Sequence, residues 1–419
     1  MKFPLFSIFT MKIWTSLSLY TSFAPAGKRL QCFGLPKSSE RALNAEPPII
    51  EIVLNKYAPL GCDNLAQGVC RWGPPGATQG VIKATDEKDY KYGDILGDSS
   101  LRAALADKLA QSNGLNLAGQ EIMVTAGGNQ AFVNVALALC DPGDKVVVVK
   151  PFYFSHLVAL QLAGTSICYA DFQAETLLPD MGHLRSLVTS DCKMLVLTSP
   201  NNPSGAVIPK DMLLEIVDLC KEAGAWLVLD EAYEHFTFGR AEHFSPCANS
   251  LEYDGIVHLY TMSKSYGMAG WRVGYMLYPS RVSNEMQKIQ DTLPTHASIK
   301  SQAIAHACLT SPSAGFQWVR SQVNSLHRCR EAMWNAVKDT GTVKTEGAFY
   351  FLVKIPSGIE DMEAVDFLAT KHGVMVLPGS AFGAPGYLRA SYGSLPEEKC
   401  LKTISKLKSG LKGLAMMKK

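Results

Sequence analysis

One lysine stands in a setting that could make its amine reactive. In TMSKSYGMAGWRVGY (261–275), Lys264 follows an apolar run and is flanked by hydroxyl side chains, and Arg272 comes eight residues later. A lysine in a site that excludes water loses its proton more readily and can then form a Schiff base with an aldehyde. Hydroxyls and a guanidinium are suited to bind a phosphate. The segment therefore indicates a lysine that binds an aldehyde, with phosphate ligands close by.

Three other segments supply groups that such chemistry needs. TAGGNQAF (125–132) ends a strand in two glycines and begins a helix whose free N–H groups could bind an anion, although a Gly-Gly turn can also be purely structural. SPNNPSG (199–205) is a rigid turn that presents Asn202 at the end of another strand. Asp230 ends the apolar run in LVLDEAY (227–233), where it could cap a helix or face a ligand at the carboxyl edge of a parallel sheet.

A lysine for an aldehyde, an acid for a ring nitrogen and donors for a phosphate are together the parts of a pyridoxal phosphate site. With these parts, the sequence resembles the class I/II aminotransferases, which are fold-type I pyridoxal phosphate enzymes, over residues ~48–410. NNPSG, DEAY and SKSYGMAGWRVGY resemble the family's NPxG turn, its D-x-x-Y motif and its lysine signature, in the family's order. LAQGVCRWGPP, YGDILGDSSLR, TAGGNQAFVN and PGYLRASYG are most similar to the plant aromatic/methionine aminotransferase group.

The resemblance implies roles for the residues around the cofactor ring. Lys264 would bind the cofactor covalently and then act as the general base that moves a proton between the substrate Cα and the cofactor C4′. Asp230 would pair with the pyridinium nitrogen and keep it protonated. Tyr233 and Asn202 would hydrogen-bond to the ring's O3′, and Tyr153 would stack on the ring face.

The same resemblance implies a set of phosphate ligands. They are the backbone amides of Gly128 and Asn129, the hydroxyl of Thr261 (where many relatives carry Ser), Arg272 and, as a further contributor, Ser263. Tyr92 matches the tyrosine that reaches the phosphate of the neighbouring subunit. The resemblance therefore implies a homodimer with shared active sites.

Substrate recognition is expected at Arg389 in RASYG, because a planar guanidinium can bind an α-carboxylate through two hydrogen bonds. The alternative is a surface arginine on an edge strand. Gly68 matches the family segment whose backbone closes over the substrate. Trp72 either lines the side-chain pocket or belongs to the core, and Cys70 could line the pocket beside it. No metal is expected, because no Cys/His cluster has zinc spacing.

An α/β pattern that begins near residue 48 must position these groups. Six apolar runs rich in β-branched residues are predicted strands, and amphipathic segments such as NQAFVNVALALC and MLLEIVDLCKEAG separate them. The predicted strands lie in residues 121–127, 145–152, 193–200, 225–233, 255–264 and 271–279. We therefore expect a mainly parallel sheet covered by helices on both faces, in a large cofactor-binding domain over residues 93–310.

A different pattern follows residue 310. A long helical stretch over 321–339 leads to the strand-like GAFYFLVKI, a helix over 361–372, and then GVMVLPG and YLRASYG. This order predicts a smaller α+β domain, made of residues 48–92 together with 311–419.

Length and charge exclude several classes of protein. The chain has 419 residues with a formal charge of +2, which leaves no basic excess for binding nucleic acid. It contains no uninterrupted apolar run of ~20 residues, so no membrane span is expected. The eleven cysteines are odd in number and none form CxxC, which indicates free thiols in a reducing compartment.

The first residues differ in composition from the rest of the chain. Residues 1–39 contain five Lys/Arg and no Asp or Glu, and they are rich in hydroxyl and aromatic side chains. This composition is typical of an organelle presequence, which we place over residues 1–45. The stretch MKIWTSLSLYTSFAPAGKRL resembles the bipartite plastid leaders of algae with complex plastids, so a plastid is favoured over a mitochondrion. A wrongly assigned start codon or a disordered extension is the alternative.

The resemblance predicts a transaminase that works by ping-pong half-reactions. Dicarboxylate-specific relatives often carry a second arginine beyond the lysine. The corresponding segment here, residues 290–305, has Lys300 as its only lysine or arginine, and no arginine occurs between Arg281 and Arg320. We therefore expect an aromatic amino acid or methionine as donor and a 2-keto acid as acceptor. Another fold-type I enzyme (a C–S lyase, a decarboxylase or an aminocyclopropane-carboxylate-synthase-like enzyme) stays open, as does a catalytically silent binding protein.

Overall fold

The computed structural model describes residues 38–417, so the predicted leader lies outside it except for residues 38–45. From Arg41 onward, the described chain forms one compact unit. Its strands are β1 (Asp63–Asn64), β2 (Gln120–Thr125), β3 (Lys145–Val149), β4 (Ser166–Ala170), β5 (Cys192–Thr198), β6 (Trp226–Asp230), β7 (Ile256–Thr261), β8 (Gly274–Pro279), β9 (Tyr350–Lys354), β10 (Val374–Met375), β11 (Leu377–Pro378) and β12 (Tyr387–Ser391).

The α-helices between residues 38 and 417 are α1 (Glu40–Asn44), α2 (Ile49–Tyr57), α3 (Gln79–Lys83), α4 (Ser99–Ser112), α5 (Gly128–Leu139), α6 (Phe154–Ala163), α7 (Met181–Leu187), α8 (Lys210–Ala223), α9 (Ala248–Leu251), α10 (Met262–Ser265), α11 (Ser283–Thr292), α12 (Ile299–Thr310), α13 (Gly315–Ser325), α14 (His327–Val337), α15 (Asp361–His372) and α16 (Glu397–Met416). None of these described helices combines the length and the apolar composition that a bilayer crossing requires.

A seven-stranded sheet with the order β2-β8-β7-β6-β5-β3-β4 forms the centre of the fold. All neighbours pair in parallel except β8, which is antiparallel to both β2 and β7. The prediction of a mainly parallel sheet is therefore confirmed, and each of the six predicted runs overlaps one strand. The edge strand β4 lies outside those runs, because SICYA is half exposed and lacks a continuous apolar pattern.

Helices cover both faces of this sheet because its inner strands are apolar on both faces. In β3, Val146 and Val148 pack in one hydrophobic cluster, with side chains of α5 and α6. Val147 and Val149 point the other way and pack in a second cluster, with side chains of α7 and α8. This alternation is the period of two that strand geometry imposes.

Two smaller sheets of the described chain lie outside the central sheet. One is antiparallel with the order β11-β12-β9, and the other pairs β1 with β10 in parallel. The helix predicted over 361–372 is confirmed as α15, but the long helical stretch predicted over 321–339 is interrupted at Leu326, between α13 and α14. The division into a large domain (93–310) and a small one (48–92 with 311–419) stays a prediction.

The topology explains how distant motifs meet. Strands β2, β3, β5, β6 and β7 run in the same direction, so their carboxyl ends lie at one edge of the sheet, where the antiparallel β8 begins. In the ladders, Asp230 is the partner of Thr198 and of Leu259, and Gly274 is the partner of Thr125 and Thr261. The residues that follow these strand ends are thereby brought together, as expected for a ligand crevice in an open α/β sheet.

Candidate active site

A cleft of about 200 Å³ lies at this carboxyl edge of the sheet. Twelve residues that the sequence predicted for the site line it: Gly68, Gly128, Asn129, Tyr153, Asn202, Asp230, Tyr233, Thr261, Ser263, Lys264, Arg272 and Arg389. They come from segments that span more than 300 residues of sequence. Of the residues to which the sequence assigned a cofactor or substrate contact, only Tyr92 lies outside this cleft, and the two pocket candidates Trp72 and Cys70 do not line it either.

Lys264 lies in the one-turn helix α10, directly after β7. Thr261 caps that turn, because its Oγ1 accepts a hydrogen bond of 3.1 Å from the backbone N–H of Ser263. The Lys264 Nζ donates a hydrogen bond of 2.6 Å to the carbonyl oxygen of Gly68. Desolvation in the cleft lowers the pKa of Lys264 from 10.5 to about 8, and the positive charge of Arg389 also lowers it. With that pKa, roughly a tenth of the amine is neutral at pH 7, which is the form that attacks an aldehyde.

Asp230, the last residue of β6, is held by two contacts. Its Oδ1 accepts a hydrogen bond of 3.0 Å from the N–H of Ala232, and its Oδ2 lies 3.0 Å from Nε2 of His156. His156 is buried and stacks on Phe132 with ring centroids 4.2 Å apart. The imidazole therefore orients the carboxylate. His156 was not predicted from the sequence, where its only signal is its place three residues after Tyr153, whose ring it meets edge-on.

Arg389 is buried, with 1% of its surface exposed. It donates to Asn202 Oδ1 at 2.9 Å and to the carbonyl oxygen of Ala66, and its guanidinium carbon lies 4.6 Å from the ring centroid of Tyr350. No carboxylate within residues 38–417 pairs with it, and its Nε is buried without a partner. A buried cation without a counter-ion is costly, so this guanidinium indicates a binding site for an anionic group.

Two tyrosine hydroxyls meet in the floor of the cleft. The Oη atoms of Tyr233 and Tyr350 are 2.6 Å apart, and both side chains are buried. Burial raises the pKa of both phenols, so both are neutral and one donates to the other. Tyr350 also contacts the backbone at Gly68, where a Cβ would overlap the Tyr350 hydroxyl. Glycine at this position therefore permits the close approach. Tyr350 is a second residue that the sequence analysis missed.

The N-terminus of α5 and Arg272 form a second electropositive region of the cleft. Gly127 has φ +86°, and a Cβ on it would collide with the Arg272 guanidinium. Arg272 itself has φ +54°, a left-handed conformation that residues other than glycine seldom adopt. It donates to the carbonyls of Ala269 at 3.0 Å and Ala126 at 3.2 Å, and in the described chain no carboxylate pairs with it. The free N–H groups that begin α5 add to the positive potential.

The apolar side chains of the cleft are not the ones expected. Ile50 of α2, Val69 and Tyr350 line it, whereas Trp72 and Cys70 do not. Of the two positions considered for Trp72, pocket or core, the structure shows the core. Its ring lies parallel to that of Phe236, with ring centroids 6.3 Å apart.

Cys70 lies behind the lysine. Its thiol donates to the carbonyl oxygen of Lys264 at 3.1 Å, and burial raises its pKa to about 12. It is therefore a neutral thiol with a structural contact.

Two further residues singled out in the sequence lie away from the cleft. Tyr92 is 88% exposed, with its ring edge towards His296. Lys300 contacts the carbonyl of Ala84 and lies 3.4 Å from Asp89. Among the described residues, the cations that line the cleft are therefore Lys264, Arg272 and Arg389.

Comparisons with known proteins agree with this geometry. The family "Aminotransferase class I and II" matches residues 63–407. The chain is 38% identical over 390 residues to the aromatic aminotransferase ISS1 of Arabidopsis thaliana (90% of this chain, 96% of the relative). It is 33% identical over 328 residues to the aspartate/prephenate aminotransferase of Thermus thermophilus (77% of this chain, 84% of the relative).

Solved structures confirm the predicted fold class. The structure superposes on Thermus thermophilus aspartate aminotransferase with maleate at a TM-score of 0.83 and 30% identity, covering 90% of this chain and 100% of that chain. The aromatic aminotransferase of Pyrococcus horikoshii gives a TM-score of 0.78 at 30% identity, covering 86% of this chain and 99% of that one.

Proposed function

The chain belongs to the class I and II aminotransferase family and is a transaminase, and from this premise we propose that it uses pyridoxal 5′-phosphate to move the amino group of an aromatic amino acid or methionine to a 2-keto acid. Enzymes of this family generally depend on that cofactor. One observation carries the proposal. A single cleft holds Lys264, whose pKa is lowered, and Arg389, a buried arginine to which no carboxylate of the described chain is paired.

The residues present fit each part of the cofactor. Lys264 would bind the aldehyde, Tyr153 would pack on the ring and Asp230 would pair with the ring nitrogen. Tyr233 and Asn202 would hydrogen-bond to the ring hydroxyl. The phosphate would be bound by Gly128, Asn129, Thr261, Ser263 and Arg272, and by Tyr92 of a second subunit. Arg272 supports a phosphate site, because no carboxylate of the described chain pairs with its guanidinium. The guanidinium packs so closely on the turn before α5 that a Cβ on Gly127 would collide with it.

The bound cofactor supplies an electron-accepting ring that stabilises negative charge at the substrate Cα. Lys264 Nζ would take the proton from the substrate Cα and deliver it to C4′ of the cofactor, which requires the neutral amine that the lowered pKa provides. Asp230, oriented by His156, would hold a proton on the ring nitrogen. Tyr350 holds the hydroxyl of Tyr233 in place.

Arg389 would orient the α-carboxylate, and the apolar residues of the cleft would then face the substrate side chain. Ile50 and Val69 offer contact to an apolar or aromatic side chain, and the described chain adds no fourth cation to hold a distal carboxylate. These features support an aromatic or methionine donor. The Arabidopsis relative is named an aromatic aminotransferase, and the Thermus relative an aspartate/prephenate aminotransferase.

Two further proposals concern assembly and location. The exposed ring of Tyr92 supports a homodimer in which each subunit completes the other's phosphate site. The acid-free composition of residues 1–39 supports an organelle leader over residues 1–45, with a plastid favoured over a mitochondrion.

The experiment is a side-by-side measurement of kcat/KM for phenylalanine, tryptophan, methionine, aspartate and glutamate with one keto acid, with the products identified. We expect amino-acid product from the keto acid and a preference for the apolar donors. Because each buried CH₂ contributes only ~0.8 kcal/mol, discrimination among those donors should be modest. A clear preference for aspartate would reject the substrate proposal, and ammonia or a cleaved side chain as main product would indicate a lyase.

A further inference from the structure

A network of three side-chain amides lies behind the turn that begins α5. Its members are Gln130 and Asn134 of α5 and Gln290 of α11, and none of them lines the active-site cleft. Asn134 and Gln290 are fully buried, and Gln130 is half-buried. Buried amides lower stability unless their donors and acceptors are paired, and a paired network fixes the backbone groups to which it is bonded.

The three amides are hydrogen-bonded to one another and to the central sheet. Gln130 Nε2 donates to Asn134 Oδ1 and to Gln290 Oε1, each at 2.6 Å. Asn134 Nδ2 donates to Gln290 Oε1 at 2.8 Å, and Gln290 Nε2 donates to the carbonyl oxygen of Val124 in β2 at 3.1 Å. These bonds fix the plane of the Gln130 amide, and its oxygen is left for a further partner.

That partner is the backbone of the turn between β2 and α5. Gln130 Oε1 accepts a hydrogen bond of 2.7 Å from the N–H of Ala126, two residues before the helix begins. The carbonyl oxygen of Ala126 accepts the 3.2 Å hydrogen bond from Arg272. Both polar backbone groups of Ala126 are therefore held, one by the amide network and the other by a proposed phosphate ligand.

The position of Gln130 also leaves the first N–H groups of α5 free. A Ser, Thr, Asp or Asn before a helix usually accepts hydrogen bonds from the N–H groups of the first turn. Here the residue before α5 is Gly127, and no side chain caps the helix from that position. Gln130 is instead the third residue of α5 and reaches back towards the turn, as the glutamine of a capping box does. The N–H groups of Gly128 and Asn129 are thereby available for an anion.

We infer that Gln130, held by Asn134 and Gln290, is a positioning residue for the phosphate of pyridoxal 5′-phosphate. The inference rests on the proposed function, in which the N-terminus of α5 and Arg272 bind that phosphate. Gln130 acts through Ala126, because this residue joins the amide network to the arginine. Without the amide, the turn is free to relax, and the N–H donors and the guanidinium are no longer held towards one anion.

The test compares pyridoxal 5′-phosphate with pyridoxal, which lacks the phosphate, by absorbance titration of the full chain after removal of the cofactor. Gln130→Met replaces the amide with an apolar side chain that is also unbranched. We expect the Kd for pyridoxal 5′-phosphate to rise at least threefold, since the loss of one hydrogen bond changes an equilibrium constant ~2–12-fold. The Kd for pyridoxal should change less than twofold, whereas a merely structural role would raise both values by the same factor.

Two further variants and a second probe complete the experiment. Gln287→Met is the matched control, because Gln287 is a half-buried glutamine of α11 that donates to Ser283 at 3.1 Å and is not part of the network. If Gln130→Met does not fold, Gln290→Met should weaken phosphate binding in the same selective way without altering a residue of α5. Inorganic phosphate is the second probe, and its inhibition constant against pyridoxal 5′-phosphate should rise at least threefold in Gln130→Met.

Two results would overturn the inference. One is that Gln130→Met and Gln287→Met bind pyridoxal 5′-phosphate equally well, and the other is that Gln130→Met loses the same factor for pyridoxal 5′-phosphate and for pyridoxal. A failure of the proposed function itself gives a different result. In that case the unaltered chain binds pyridoxal 5′-phosphate no more tightly than pyridoxal, and both proposals are rejected.

Discussion

Replacing Arg389 with lysine keeps the buried charge but removes the planar fork. Two N–H donors of Arg389 are already hydrogen-bonded, one to Asn202 Oδ1 and one to the Ala66 carbonyl. The remaining N–H donors can bind a carboxylate. A lysine ammonium has three donors in all, so at least one hydrogen bond to the substrate carboxylate is lost. A hydrogen bond to a charged group contributes ~1.5–3 kcal/mol, and ~1.4 kcal/mol is a factor of ten. We therefore expect Arg389→Lys to lower kcat/KM by ~10–150-fold.

The assay is kcat/KM for phenylalanine with a fixed keto acid, measured beside a matched buried arginine. Arg330 is 4% exposed and donates to Glu331 and to the Thr345 carbonyl, outside the cleft. Arg330→Lys should therefore lower the Tm and leave kcat/KM unchanged. The reasoning is refuted if Arg389→Lys stays within twofold of the unaltered enzyme, or if both variants lose the same factor.

Four other results are expected. Asp230→Asn should retain the cofactor but lower kcat at least ~100-fold, since an amide cannot keep the ring nitrogen protonated, and near-normal turnover would reject this role. Tyr350→Phe should lower kcat ~2–12-fold and also lower the Tm, because it removes the partner of the Tyr233 hydroxyl; an unchanged kcat would show that the pair does not position Tyr233. In cofactor-free protein, labelling of Lys264 by an amine reagent should rise with pH with a midpoint near 8, because desolvation lowers this pKa, whereas a midpoint near 10.5 would contradict it. A chain that begins at residue 45 should keep full activity, and a fluorescent protein carrying residues 1–45 should enter an organelle; diffuse cytosolic fluorescence would count against a leader.

The sequence predicts the strands and their terminal residues well, for a physical reason. Apolar runs such as those of β3 and β6 are buried on both faces, and the pattern is strong enough to identify each strand. In a parallel sheet the residues after these runs must meet at one edge. The positions of Asp230, Asn202 and Lys264 therefore followed from local pattern and topology together.

The missed residues carry no local pattern of their own. His156 and Tyr350 contact Asp230 and Tyr233, which lie 74 and 117 residues away in the sequence. Such contacts form only when the tertiary structure packs. Trp72 is the opposite case, a residue whose local sequence made it a pocket candidate although it does not line the cleft. Its packing against Phe236 places it in the core.

The most direct test of the proposed mechanism is reduction of the purified protein with borohydride, followed by peptide mapping. Borohydride converts a Schiff base between a lysine and pyridoxal phosphate into a stable covalent bond, so the modified residue can be located by mass spectrometry. We expect yellow protein, loss of the visible absorbance on reduction, and a single labelled peptide with the pyridoxyl group on Lys264. A label on another lysine, or no label from protein that transaminates, would contradict the assignment.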